Sequence, residues 1–135
     1  MGAKLDAVGI VVADLKRAVE FYRLLGVPFE EGVESSEHGH AEAALGGGMR
    51  LLMDTEEGMR SFDPSWRRAS GSAAANLAFR CDSPAEVDDL CSRALAAGGQ
   101  AHKAPWDADW GMRYAQLRDP DGNAFDLYAD LPARG

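Results

Sequence analysis

The chain has 135 residues, a formal net charge of −8 and two cysteines. That length is about one domain, which buries roughly two-thirds of its unfolded surface and folds without staples. The acidity argues against nucleic acid, which needs clustered Lys and Arg, and reads as a solubility feature rather than steering of a cationic ligand. Cys81 and Cys91 fit a reduced, cytoplasmic protein better than a disulfide scaffold, and no apolar run is long enough for a signal peptide or a membrane span.

The first element is an apolar run with β-branched residues, Leu5 to Val12, read as a strand. Asp14 follows in the position of a helix N-cap. Leu15, Ala18, Val19, Tyr22 and Leu25 then recur at helical spacing, and Gly26 ends the helix. Strands are expected at Val27 to Val33, His40 to Leu45 and Met49 to Met53, the last two joined by the Gly46-Gly47-Gly48 turn. Residues 55–73 carry Gly58, Pro64, Ser70, Gly71 and Ser72 and read as a linker.

A second unit repeats the order. Ala75 to Cys81 reads as a strand, and Ser83-Pro84-Ala85-Glu86 as a capping box with Pro at the first helical position. Val87, Leu90, Cys91, Ala94 and Leu95 form a helical face closed by Gly98-Gly99. Strands follow at about Ala101 to Ala104, Met112 to Leu117 and Ala124 to Tyr128, with Asp119-Pro120-Asp121-Gly122-Asn123 as the reversal before the last. The chain is therefore expected to be one α+β domain over residues 1–135. It would consist of two tandem βαβββ modules, about 3–54 and 74–131, forming curved mixed sheets around a cavity.

Setting cap on cap, Asp14 over Ser83, places Ala7 over Asn76, and the Gly48 and Asn123 turns place Leu51 over Asp126. Strand alternation then selects the residues facing the concave side: Ala7, Gly9 and Val11; Leu51 and Met53; Asn76, Ala78 and Arg80; Asp126 and Tyr128. If Leu117 faces the core with Phe125 and Leu127, Tyr114 and Gln116 share the face of Asp126.

Three phrases carry a family resemblance. They are Leu5-Asp6-Ala7-Val8-Gly9-Ile10-Val11-Val12-Ala13-Asp14-Leu15, the helix end Phe21-Tyr22-Arg23-Leu24-Leu25-Gly26, and Trp110-Gly111 followed by Arg118-Asp119-Pro120-Asp121-Gly122-Asn123. Together and in order, they make the chain resemble the vicinal oxygen chelate superfamily, which includes glyoxalase I, extradiol dioxygenases and the fosfomycin- and bleomycin-resistance proteins. Members bind, isomerise, cleave or conjugate, so the resemblance speaks to fold before function. Metal-dependent members place ligands on the first and last strand of each unit. The matching positions here are Ala7, Leu51, Asn76 and Asp126, of which two are carbon only and Asn76 is a weak ligand. No metal or other cofactor is therefore expected.

Other chemistry finds little support. His38 and His40 share a strand face and could chelate, but they read as the exposed entrance of a strand among Glu34, Glu37 and Glu42. His102 is a lone histidine near Lys103, the two cysteines read as buried inert thiols, and no catalytic residue is assigned.

What remains is aromatic. Trp106 and Trp110 fall in the loop before the penultimate strand, and either line a ligand site or close loop ends; Trp66 reads as structural. The ligand-binding set is Asn76, Trp106, Trp110, Tyr114, Gln116, Asp126, Tyr128 and Met53, suited to a flat organic molecule. The resemblance then implies metal-independent sequestration of a drug or metabolite, as in antibiotic-resistance members, by a cytoplasmic homodimer. The alternative is an enzyme of the superfamily, either metal-dependent or using Asp126 as a general base.

Overall fold

The computed structural model describes residues 2–133. The chain divides into two compact units between Ala69 and Ser70. The first carries β1 (Ala7–Val12), α1 (Leu15–Leu24), β2 (His40–Gly46), β3 (Met49–Thr55) and α2 (Glu56–Phe62). The second carries β4 (Leu77–Arg80), α3 (Pro84–Ala96), β5 (Gln100–Ala108), β6 (Met112–Arg118) and β7 (Ala124–Asp130). The first sheet has the order β1-β3-β2 and the second β4-β7-β6-β5. Both are mixed: β1 runs parallel to β3 and β4 parallel to β7, while the remaining neighbours are antiparallel.

Both expected helix starts are present. Asp14 accepts from the Arg17 amide at 3.1 Å, and Gly26 takes φ +97° just beyond the helix end, where a side chain would be strained. Ser83 caps α3 by accepting from the Glu86 amide at 3.2 Å; Glu86 reaches back to the amide of Asp82, one residue before the cap. These two helices present apolar stripes: Leu15, Ala18, Val19 and Tyr22 on α1, and Val87, Cys91 and Ala94 on α3, are buried. Complete burial of side chains such as Val19 and Val87 contributes about 1.5–3 kcal/mol each. In the second unit α3 packs on β5, β6 and β7. The buried residues Ala115, Leu117, Phe125, Leu127 and Ala129 form the matching sheet face.

The first unit departs from expectation in three ways. No strand forms at Val27–Val33. Val27 and Phe29 are buried there, but the Val27 amide folds back to the Tyr22 carbonyl at 2.9 Å. The Arg23 guanidinium takes the carbonyls of Phe29 and Glu30, and also pairs with Glu34. An arginine fork thus serves the acceptors that a neighbouring strand would have served.

The segment read as a linker contains α2. Thr55 caps it by accepting from the Gly58 amide at 3.0 Å, with Glu56 and Glu57 favourably placed in its first turn. Gly39, at φ +66°, lies against this cap; a Cβ there would run into the Thr55 hydroxyl.

The third departure concerns register. Leu51 and Met53, expected on the concave side, are 1% and 0% exposed and lie on the buried face of β3. Ala7, Gly9 and Val11 pair instead with Arg50, Leu52 and Asp54, so these residues share the other face. The assignment of Met53 to a ligand site is therefore corrected: it is a core residue.

Candidate functional site

The second sheet has one face covered by α3. Alternation puts Asp126 and Tyr128 of β7 on the opposite face, and the strand register sets Asp126 beside Ala78 and Gln116, and Tyr128 beside Arg80 and Tyr114. Trp106 pairs with Tyr114 from β5. The turn that delivers β7 is tied by hydrogen bonds to Asp119. Asp119, 2% exposed, accepts the amides of Asp121 and Asn123 at 2.8 and 2.9 Å, and its carbonyl accepts from Gly122 at 2.9 Å. Gly122 alone in this turn takes positive φ.

Asp126 is the polar centre of this face. It is 7% exposed, and both its hydrogen bonds arrive at Oδ2: Asn76 Nδ2 donates at 2.6 Å and the Tyr114 hydroxyl at 2.6 Å. A carboxylate accepts only, so the amide nitrogen of Asn76 must face it. Burial, and then the bond to Asp126, push the Tyr114 phenol up to about 12, keeping it a donor at neutral pH. Among the described residues Oδ1 has no hydrogen-bond partner and no cation pairs with the carboxylate.

Rings surround this group. Tyr114 stacks on Tyr128 with centroids 5.8 Å apart and planes 21° apart. Trp106 and Trp110 meet Tyr114 edge-on, each at 5.6 Å, and meet one another at 6.0 Å. Lys103 Nζ lies 3.9 Å from the Trp106 ring centre and the Arg80 guanidinium 4.8 Å from that of Tyr128. Seven of the sequence candidates, Asn76, Trp106, Trp110, Tyr114, Gln116, Asp126 and Tyr128, thus share one region of the second unit; Met53 does not. Trp106 lies within β5 rather than in the loop, while Trp110, 60% exposed, sits in the turn after it.

The first unit holds a cluster that sequence reasoning assigned to an exposed strand entrance. His40 contacts Asp54 through Nδ1 and Glu42 through Nε2, both at 2.8 Å, and Arg50 joins Glu42 to Asp6 at 2.6 and 2.7 Å. Glu42 and then Asp54 hold the imidazole above its ordinary value. The sequence signals only the His40–Glu42 half of it, two residues apart on one strand face, since Asp54 joins from the neighbouring strand. The two carboxylates bind opposite ring nitrogens and so diverge. Among the described residues no group of three His, Cys, Asp or Glu is gathered to hold a metal.

The thiols offer no nucleophile. Cys81 and Cys91 are free and buried, and burial pushes the Cys81 thiol up to about 11.

Residues 4–127 match the family model described as Glyoxalase/Bleomycin resistance protein/Dioxygenase superfamily. The chain belongs to this superfamily. No curated protein matches it. Among solved structures, a glyoxalase/bleomycin resistance protein/dioxygenase family enzyme from Burkholderia phytofirmans PsJN is similar, at 24% identity and TM-score 0.78, covering 96% of this chain and 100% of that one. A glyoxalase-related enzyme from Fulvimarina pelagi matches at 20% identity and TM-score 0.76, over 94% and 88% of the two chains. The glyoxalase family protein APC24694 from Bacillus cereus matches at 17% and 0.71, over 98% and 97%. These likenesses concern the fold.

Superfamily membership raises the question of a metal. In the second unit Ala78 pairs with Asp126, and in the first its counterpart Gly9 pairs with Leu52. Leu52, not Leu51, therefore stands at the last-strand ligand position of the first unit. Ala7 and Leu52 offer carbon only, and Asn76 turns its amide nitrogen to Asp126. Neither unit by itself supplies the three protein ligands that a divalent ion ordinarily takes in a catalytic site. Among the described residues no helix is long and apolar enough to cross a membrane.

Proposed function

We propose that this superfamily member binds a small, partly aromatic organic molecule on the face of the second sheet opposite α3, without a metal, and acts by sequestering a drug or metabolite. One observation carries the reading: a buried carboxylate, fixed by Asn76 and Tyr114, lies within a cluster of Trp106, Trp110, Tyr114 and Tyr128. Rings supply stacking area at low entropic cost, and the fixed polar group sets orientation. The free cysteines suit a cytoplasmic protein, and a homodimer belongs to the same proposal.

A second reading is catalytic. Asp126 keeps acceptor capacity at Oδ1, which a general base requires. The two separate on what happens to the ligand. Protein purified without chelator is denatured, the released small molecules are identified by mass spectrometry, and the metal content is measured. An aromatic compound returned unchanged after incubation supports sequestration. Turnover of it supports the catalytic reading, and stoichiometric zinc, manganese, nickel or iron overturns the metal-free one.

A further inference from the structure

We infer that the ligand of the second unit carries a protonated nitrogen with at least one N–H, an ammonium or amidinium group, which donates to Oδ1 of Asp126. The inference rests on the aromatic-binding reading above and specifies the chemistry of its polar anchor. A carboxylate 7% exposed is costly to hold in a protein unless it is paired and hydrogen-bonded. Asn76 and Tyr114 are neutral donors and both serve Oδ2, which leaves Oδ1 and the net charge unanswered. Of the cations on this face, Arg80 pairs with Asp130 at 3.2 Å and covers Tyr128, Lys103 covers Trp106, and Arg118, two residues along β6 from Gln116, donates to the Leu117 carbonyl at 3.4 Å and makes no bond to the carboxylate. Gln116, beside Asp126 in register, likewise has no side-chain partner among the described residues. The Tyr114 hydroxyl has one proton and cannot serve Oδ1 without abandoning Oδ2, and Asn76 donates to Oδ2 alone. A ligand N–H cation completes the carboxylate, while its flat body meets the rings, whose faces attract positive charge.

Isothermal titration calorimetry at pH 7 with three probes of one aromatic body tests this: naphthylmethylamine, naphthylmethanol and naphthylmethyl-trimethylammonium. The amine is expected to bind at least about tenfold more tightly than the other two, as for one hydrogen bond between charged groups. In Asp126→Asn, which keeps the shape and removes the charge, that preference is expected to disappear. Equal binding of amine and alcohol overturns the cation while leaving aromatic recognition standing, and a quaternary probe that equals the amine overturns the N–H contact. If none of the three binds, the aromatic-site reading falls as well. Should Asp126→Asn fail to fold, the ratio between amine and alcohol in the unaltered protein decides.

Discussion

Tyr114 donates its hydroxyl to Oδ2 of Asp126 across 2.6 Å, and the ring that carries this hydroxyl is also the one on which Tyr128 stacks. The anchor and the wall of the site are thus joined in one side chain. Tyr114→Phe keeps the ring and removes the donor. It is expected to cost about 1.5 kcal/mol of stability, the low end for a bond to a charged acceptor, because Asn76 still serves the same oxygen. The phenol itself reports the contact. In Asp126→Asn its titration, followed by absorbance of the phenolate, is expected to fall from about 12 toward 10 without reaching it, since burial is the larger cause and remains. A titration unchanged by that substitution would show that the bond does not form.

His40 makes stability depend on pH. Its folded value is raised, chiefly by Glu42 and then Asp54, so its contribution is full below the ordinary histidine value of 6.5. The contribution is lost as pH rises through the folded value, when the ring no longer offers a charge to Asp54 and leaves Glu42 with Arg50, which it shares with Asp6. His40→Gln is expected to flatten the fall in melting temperature above pH 6.5. The loss is on the order of 1 kcal/mol or less, since the imidazole is about a third exposed and the pairs are screened. Melting curves that superimpose for the two proteins across that range would remove His40 from the account.

Met53 separates core from site. It is 0% exposed on the helix-covered side of β3, so Met53→Ala is expected to destabilise by about 2–5 kcal/mol, read by denaturant unfolding. Ligand affinity measured well below the midpoint should stay within twofold of the unaltered protein. A large change in affinity with little change in stability would restore Met53 to the site.

The error over Met53 shows where the sequence was legible and where it was not. In β7 the order Phe125-Asp126-Leu127-Tyr128 alternates cleanly, and the turn before it pins the count, so the face of Asp126 was readable. In β3 Leu51, Leu52 and Met53 are consecutive and apolar, so alternation does not select a face. The preceding Gly46-Gly47-Gly48 turn takes positive φ throughout, with a register shift between Ala44 and Gly46, which makes counting from the turn unreliable. α2 was hidden by its length, one capping Thr and an interior Gly58. The caps at Asp14 and Ser83 were legible because each precedes a long apolar stripe. The His40 cluster was not, because Asp54 reaches it across strands rather than along one.

The missing strand at Val27–Val33 has a single side chain to answer for it. Arg23 gives its fork to the carbonyls of Phe29 and Glu30 and to the Glu34 carboxylate, so three acceptors of one segment depend on one guanidinium. Lysine keeps the charge but offers a point donor on a flexible stem, unable to span acceptors so spaced. Arg23→Lys is therefore expected to cost about 1–2 kcal/mol. The loss should concentrate at residues 27–35, where hydrogen exchange of the backbone should accelerate while that of β5, β6 and β7 stays as it was. Uniform acceleration across the chain would mean that Arg23 supports the whole fold rather than this loop. No acceleration at all would mean that the buried Val27 and Phe29 side chains hold the segment by themselves.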